Sequence, residues 1–305
     1  MGDVLLAVPA LRALKRRWAD DPLVLAAQPR IAGLLAALGV VDRSSDFEAL
    51  GLAALFEGGG MGSERGWPAR CGEDLRRATR VVAWIGSREP HFVQKLTALV
   101  PGAIVAPSVG IDRPVWEHLL ETVGATAVER ALRVPVIVPA PIAEESRLAL
   151  RGQGWDDRAR FLFVHPGAGG PGKRWSPAGF AAVVERLGET LPRLAFLVHR
   201  GPADSEAVRG LCSRLTRRVT LLGEPALPVL AGVLARATAY LGNDSGISHL
   251  AAALGVPSVV LFGAERISWR PWAEHVEPEV VSMPTLDAAD VTRVTRALAP
   301  VLGSI

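Results

Sequence analysis

The sequence predicts an α/β protein with parallel sheets in two domains. Short apolar runs alternate with helix-length amphipathic segments in both halves of the chain. Continuous apolar strands alternating with helices belong to parallel sheets covered on both faces. At 305 residues the chain is long enough for about two such domains. A proline- and charge-rich stretch at 134–160 suits a connection between them. Domains are therefore expected at 1–145 and 146–286, followed by a C-terminal helix within 287–305.

The elements follow in order. Residues 5–18 read as a helix, with an apolar face and with Arg12, Lys15, Arg16 and Arg17 toward the end where the helix dipole favours cations. Strands are expected at 23–27, 81–85 and 103–106, and a helix at 114–123 with Pro114 in its first turn. The second half alternates more cleanly. Strands at 161–165, 194–199, 219–222, 239–241 and 258–262 are separated by helices near 177–188, 203–216, 227–236 and 247–254, the last closed by Gly255. One feature departs from the pattern. A βα domain normally opens with a strand, yet a helix follows directly after Met1-Gly2-Asp3. Either the fold lacks that strand or the start assigned to the chain lies about ten residues late.

Composition narrows the function classes. With 49% hydrophobic and 21% charged residues, a large core is available and global disorder is not expected. The net charge is +3 with no polybasic tail, so no nucleic-acid partner is expected, while anionic substrates suit the mildly basic balance. Cys71 and Cys212 have no metal-ligand spacing and read as reduced thiols of a cytoplasmic protein. No cluster at metal-ligand spacing is found, and no apolar run is long enough to span a membrane.

Two loops carry the chemistry. Gly242-Asn243-Asp244-Ser245-Gly246-Ile247-Ser248-His249-Leu250 lies between two strands and opens a helix. Such a turn offers free N–H groups to an anion, and Asp244 and His249 add a carboxylate and an imidazole. Asp244 also reads as a helix N-cap and His249 as a core histidine. His165-Pro166-Gly167-Ala168-Gly169-Gly170-Pro171-Gly172-Lys173-Arg174-Trp175 follows a strand and precedes a helix. Its glycines (Gly167, Gly169 and Gly170 among them) let backbone approach a ligand, and Lys173 and Arg174 can neutralise phosphate. A flexible loop with solvated basic residues is the plainer alternative. The spacing is neither a P-loop nor a dinucleotide fingerprint, and Ser245 is not in a GxSxG elbow, so nicotinamide and serine-hydrolase chemistry are disfavoured. Asp3 reads either as a helix cap or as a general base. Glu206 and Glu224 follow strands at the end where a sugar hydroxyl would sit, and each also has a surface reading. Trp155, Trp175, Trp269 and Trp272 read as packing residues.

Taken together, these blocks resemble the ADP-heptose:lipopolysaccharide heptosyltransferases, glycosyltransferase family 9. Gly2-Asp3-Val4-Leu5-Leu6-Ala7-Val8-Pro9-Ala10-Leu11 is similar to the family's opening loop and first helix. The 165–177 loop is similar to its phosphate loop, in the glycine-rich form of the heptosyltransferase II type. The block 242–257 is similar to its donor-site signature. Ala168-Gly169 stand where some members carry hydroxyl residues. The resemblance implies a GT-B architecture, two Rossmann-like domains facing a cleft, with the acceptor side first, the nucleotide-sugar side second and the C-terminal helix packing back toward the first domain. It implies inverting, metal-independent transfer of heptose from an ADP-sugar substrate, without a cofactor, to a lipid-anchored oligosaccharide at the inner face of the cytoplasmic membrane, with peripheral membrane contact. By position, Asp3 matches the general base, Lys173 the phosphate-facing lysine, and Asp244 the aspartate at the donor sugar. Ser245, Gly246 and His249 match its neighbours at the diphosphate. The donor-side set is thus Gly167, Gly169, Gly170, Lys173, Arg174, Glu206, Asp244, Ser245, Gly246 and His249, with Asp3 and Lys173 catalytic. The alternatives are a GT-B transferase or epimerase using another nucleotide sugar, a nucleotide-sugar-binding protein without turnover and, more distantly, a dehydrogenase. The loop 57–70, with Trp67, is expected to shape the acceptor side.

Overall fold

The computed structural model describes residues 1–57, 68, 70–155 and 159–303. Two compact units emerge: Ala7–Leu132, and Met1–Leu6 together with Arg133–Ile305. The division thus differs from the expected one at both ends of the first domain. The first six residues join the larger unit, and so does the segment after residue 132.

The chain opens with two helices, α1 (Gly2–Leu6) and α2 (Val8–Arg17), where the sequence predicted one. Pro9 explains the interruption. It has no N–H for the Leu5 carbonyl, and its ring crowds the preceding turn. The Leu5 oxygen instead accepts from Trp272 Nε1 at 3.0 Å, so the break in the helix is satisfied by a side chain of the larger unit.

The smaller unit continues with β1 (Val24–Ala27), α3 (Pro29–Ala37), β2 (Arg43–Asp46), α4 (Ala53–Phe56), α5 (Glu73–Arg77), β3 (Val82–Ala83), α6 (Pro90–Leu99), β4 (Ile104–Val105) and α7 (Val115–Thr122). Its strands form two separate parallel pairs, β1 with β2 and β3 with β4. β2 was not expected. Its sequence, Arg-Ser-Ser-Asp, has no apolar pattern, and its pairing to Val24–Ala27 alone makes it a strand. The core here gathers Leu50, Leu55, Leu75, Phe92 and Leu96. Most of the loop assigned to the acceptor side, including Trp67, lies outside the described residues.

In the larger unit, the 134–160 stretch is more than a connection. Thirteen of its residues form α8 (Ala140–Gly152), which packs on a later helix. Then come β5 (Phe161–His165), α9 (Pro177–Thr190), β6 (Ala195–Arg200), α10 (Ser205–Cys212), β7 (Thr220–Gly223), α11 (Leu227–Ala235), β8 (Ala239–Asn243), α12 (Gly246–Ala253), β9 (Ser258–Phe262), β10 (Val276–Val280) and α13 (Ala288–Gly303). The six strands form one parallel sheet in the order β10-β9-β8-β5-β6-β7. Numbered from β5, this is the doubly wound order 3-2-1-4-5-6. In such sheets the strand sequence reverses at the central pair, here β5 and β8, and ligands bind beyond the carboxyl ends of that pair.

Alternation along the strands assigns the two faces. Leu162, Val164, Phe196, Val198, Leu241, Val259 and Leu261 meet α9, α10 and α13 through Phe180, Val184, Leu187, Leu211, Val294 and Leu298. The C-terminal helix is therefore part of this core, its apolar face packed on α9 and the sheet. Phe163, His165, His199 and Tyr240 belong to the opposite set of strand positions, with Phe163 stacked near Tyr240 at 5.9 Å. β10 was missed because Val-Glu-Pro-Glu-Val reads as polar; proline is acceptable there because β10 is an edge strand. No helix among the described residues is long and apolar enough to cross a membrane.

Candidate functional site

The two loops singled out in the sequence leave the sheet from its two central strands. The glycine-rich loop leaves β5 after His165. The Asp244 turn leaves β8 one residue beyond Gly242, which is paired with His165. Strand order alone therefore brings two segments nearly eighty positions apart in the sequence to one crevice end.

Asn243 joins them. This fully buried side chain donates from Nδ2 to the Pro166 carbonyl at 2.8 Å and accepts the Trp175 N–H on Oδ1 at 3.0 Å. Both ends of the glycine loop are thereby fixed to β8. Trp175 fills the core beneath, edge-on to Phe180. Within the loop the glycines differ. A Cβ on Gly167 would lie 2.0 Å from Asp204 Oδ1, so this glycine is required by packing. Gly169 and Gly170 have nothing within 4 Å of such an atom and present bare backbone to open space.

Lys173 and Arg174 are neighbours with different tasks. Lys173 Nζ reaches Asp244 Oδ2 at 3.2 Å. Arg174 turns back on its own loop, with Nη2 3.4 Å from the Ala168 carbonyl and 3.3 Å from that of Ala203. It ties the loop to the segment entering α10.

On the other side, Ser245 is the N-cap of α12, its Oγ accepting the Ser248 N–H at 3.3 Å. Asp244 is therefore not the cap, and its carboxylate is free for other partners. It is almost fully buried and meets three groups: Lys173, Arg266 Nε at 3.2 Å and His249 Nε2 at 3.6 Å. Burial pushes its carboxyl upward, but His249 and Lys173 outweigh that and hold it below the usual carboxylate range. His249 Nδ1 is buried with no hydrogen-bond partner among the described residues. Beneath the turn, Tyr240 Oη and Ser248 Oγ are 2.8 Å apart, and Ser248 Oγ donates to the Asn243 carbonyl. Burial raises the Tyr240 phenol, so this support stays neutral.

The N-terminal helix meets the same turn. A Cβ on Gly2 would lie 2.9 Å from the His249 ring, and one on Gly246 would lie 2.6 Å from the Met1 side chain. Asp3 follows Gly2 and is exposed in the first turn of α1. Lys173, Asp244, Ser245, Gly246 and His249 are thus brought together, with Asp3 on the helix packed against them. Glu206 is exposed in the first turn of α10, outside this group of ion pairs. Glu224 follows β7 directly, with a φ of 45°.

Sequence reasoning missed Arg266 and Asn243. Nothing local marks Arg266, which lies in the turn after β9. Asn243 was signalled only by its place between a strand and the aspartate. It also missed a buried group formed by His165, His199 and Asp204, whose candidate ligand atoms lie within 4.8 Å of one another. Spacing along the chain could not reveal it, because the three come from β5, β6 and the residue before α10. The two Nδ1 atoms are 3.1 Å apart, a hydrogen bond between imidazoles. Burial lowers His165 to about 4 and, with the neighbouring imidazole, His199 to about 3. Both rings are neutral near pH 7, and Asp204 also accepts the Gly201 N–H at 2.9 Å. The trio buttresses the glycine loop from below.

Comparison with known proteins agrees with this architecture. The family model described as glycosyltransferase family 9 (heptosyltransferase) matches residues 92–297. Lipopolysaccharide heptosyltransferase 3 of Escherichia coli is 27% identical over 197 residues, 58% of each chain, so the match spans little more than half the length of that relative. Lipopolysaccharide heptosyltransferase 2 of Salmonella typhimurium is 24% identical over 302 residues, 90% of this chain and 83% of the relative. Among solved structures, the family 9 glycosyl transferase of Veillonella parvula superposes with a TM-score of 0.76 at 16% identity, covering 100% of this chain and 94% of that one. The E. coli ADP-heptose lps heptosyltransferase II gives 0.70 at 18% identity, over 99% and 95%. These likenesses show the GT-B fold, and with a family match over most of its length the chain belongs to glycosyltransferase family 9, the heptosyltransferases.

Proposed function

We propose that this chain is an inverting, metal-independent glycosyltransferase that moves a heptose from ADP-heptose to the inner core of lipopolysaccharide. The observation that carries the reading is the pairing of Lys173 with Asp244 at the switch point of the sheet, beside the capped start of α12. The names of the matched relatives supply the sugar and the acceptor. The ADP-sugar is substrate, and no resident cofactor is required. The acceptor is a lipid-anchored oligosaccharide, and the protein works in the cytoplasm in peripheral contact with the inner membrane face.

In this reading, Asp3 takes the proton of the acceptor hydroxyl as its oxygen attacks the anomeric carbon. The bond from that carbon to the diphosphate oxygen breaks on the opposite face, and ADP leaves with the electron pair. Lys173 and the free N–H groups that open α12 stabilise the charge on that oxygen. Asp244 orients the sugar hydroxyls, and Gly169 and Gly170 let the loop backbone approach the phosphates.

The test is turnover of ADP-heptose with a heptose-free inner-core acceptor, in the presence of a chelator, with the anomeric configuration of the product read by NMR. We expect release of ADP matched by an inverted glycoside, and a fall of about 100-fold or more in kcat/KM for Lys173→Ala. Tight binding of the ADP-sugar without turnover on any core acceptor would replace the transferase reading with a binding role.

A further inference from the structure

We propose that Arg266 is a second phosphate-binding cation of the donor site, parked on Asp244 until a nucleoside diphosphate arrives. The inference rests on the nucleotide-sugar reading above and adds a residue to it. Arg266 Nε and Lys173 Nζ each lie 3.2 Å from the same oxygen, Asp244 Oδ2. They come from different elements: Lys173 from the loop after β5, Arg266 from the turn Ala264–Trp269 after β9. One carboxylate therefore faces two permanent cations, and the surplus positive charge lies beside the α12 N-terminus, itself electropositive. A single buried carboxylate needs one counter-ion. The second cation exceeds what that carboxylate requires and suits a ligand bearing more than one negative charge.

The form of the contact supports the same conclusion. Arg266 spends only Nε on Asp244, and no hydrogen bond joins either of its Nη atoms to the described residues. The fork that matches two phosphate oxygens remains available. Trp269 lies under the guanidinium, 4.9 Å from its carbon to the ring centroid, and holds its plane. Arg266 is 29% exposed and Lys173 33%, whereas Asp244 is 5% exposed. The cations reach the solvent side of the cluster while the carboxylate does not. When a diphosphate enters, both cations shift to it. Asp244 is then released from Oδ2 and becomes an acceptor for sugar hydroxyls, so donor phosphate and donor sugar are read in one coupled step.

A counter-ion with a purely structural role makes a different prediction, and nucleotide binding separates the two. Dissociation constants for ADP and AMP are measured by calorimetry on the full chain, alongside the thermal midpoint, for the wild type, Arg266→Ala, Arg266→Lys and Lys173→Ala. We expect Arg266→Ala to weaken ADP about 10- to 100-fold, the loss of a charge-assisted pair, and AMP by less than about threefold. Arg266→Lys should recover part of the ADP affinity through its charge. Should Arg266→Ala not fold, Arg266→Lys alone decides the matter, because a one-point donor without the fork must still bind ADP more weakly than the wild type. ADP affinity unchanged in either folded variant, or ADP and AMP weakened equally, overturns the role of Arg266. If Lys173→Ala weakens ADP while Arg266→Ala does not, only the Arg266 inference falls. If the wild type binds neither ADP nor ADP-sugars, the nucleotide-sugar reading falls and takes this one with it.

Discussion

The two units treat the same α/β recipe differently. In the larger unit six parallel strands form one sheet, and β5, β8 and β9 are buried along their whole length. In the smaller unit four strands form two separate pairs; β3 and β4 are two residues long and half-buried. A sheet covered on both faces can hold a loop rigidly at each strand end, and the larger unit places both of its ligand-type loops there. Short, half-buried pairs fix their connecting loops less firmly. The donor chemistry proposed above accordingly draws on the larger unit. The N-terminal helix makes the same point. Although its chain runs on into α2, residues Met1–Leu6 belong with the larger unit, held by the Gly2–His249 contact and by Trp272 on Leu5.

The strongest test of that allegiance is Asp3→Asn. In its proposed role as base, its replacement should lower kcat by about 10²- to 10⁴-fold, with ADP affinity and the thermal midpoint almost unchanged. A role confined to the helix dipole would cost under about 1 kcal/mol of stability and leave the rate intact. Rapid-quench kinetics beside calorimetry and thermal melts distinguish the two.

The contrast between the sheets is sharpened by paired truncations. Phe163→Ala, in the fully buried β5, should destabilise by about 3–5 kcal/mol. Val82→Ala, half-buried in β3, should cost about 1 kcal/mol. Chemical denaturation followed at two wavelengths would read both, and equal costs would dissolve the distinction drawn here.

The mildest effect is the pH dependence carried by the His165–His199 pair. Both imidazoles are held far below their ordinary 6.5 by burial, so the unfolded chain protonates first as the pH falls. Their contribution to stability is complete above about pH 7 and is lost progressively from about 6.5 toward about 3–4. Thermal midpoints across that range should fall, and His199→Phe should flatten the slope. A midpoint independent of pH between 7 and 5 would show that the pair is not buried neutral.

Much of this protein was legible before any coordinates. The five strands at 161–262 and the helices between them follow from local periodicity, and the turn into the 247–254 helix and the glycine loop follow from local turn chemistry, although the cap proved to be Ser245 and not Asp244. Asp244, Lys173 and His249, which the structure brings together, could be singled out because residue type and position at a strand end already limit what they can do. Other features had no local signal. β2 and β10 are strands only through their partners. Arg174 looked equivalent to Lys173, yet it clamps its own loop.

What the sequence by itself determined is which segments become strands and helices and which two loops are fit to meet an anion. Only the tertiary structure decided that Asn243 ties those loops together, that Arg266 shares Asp244 with Lys173, that His165 meets His199, and that the first helix packs on α12. The reason is physical. Propensity and periodicity act over a few residues, whereas these contacts join positions that strand order and helix packing bring to the same end of one sheet.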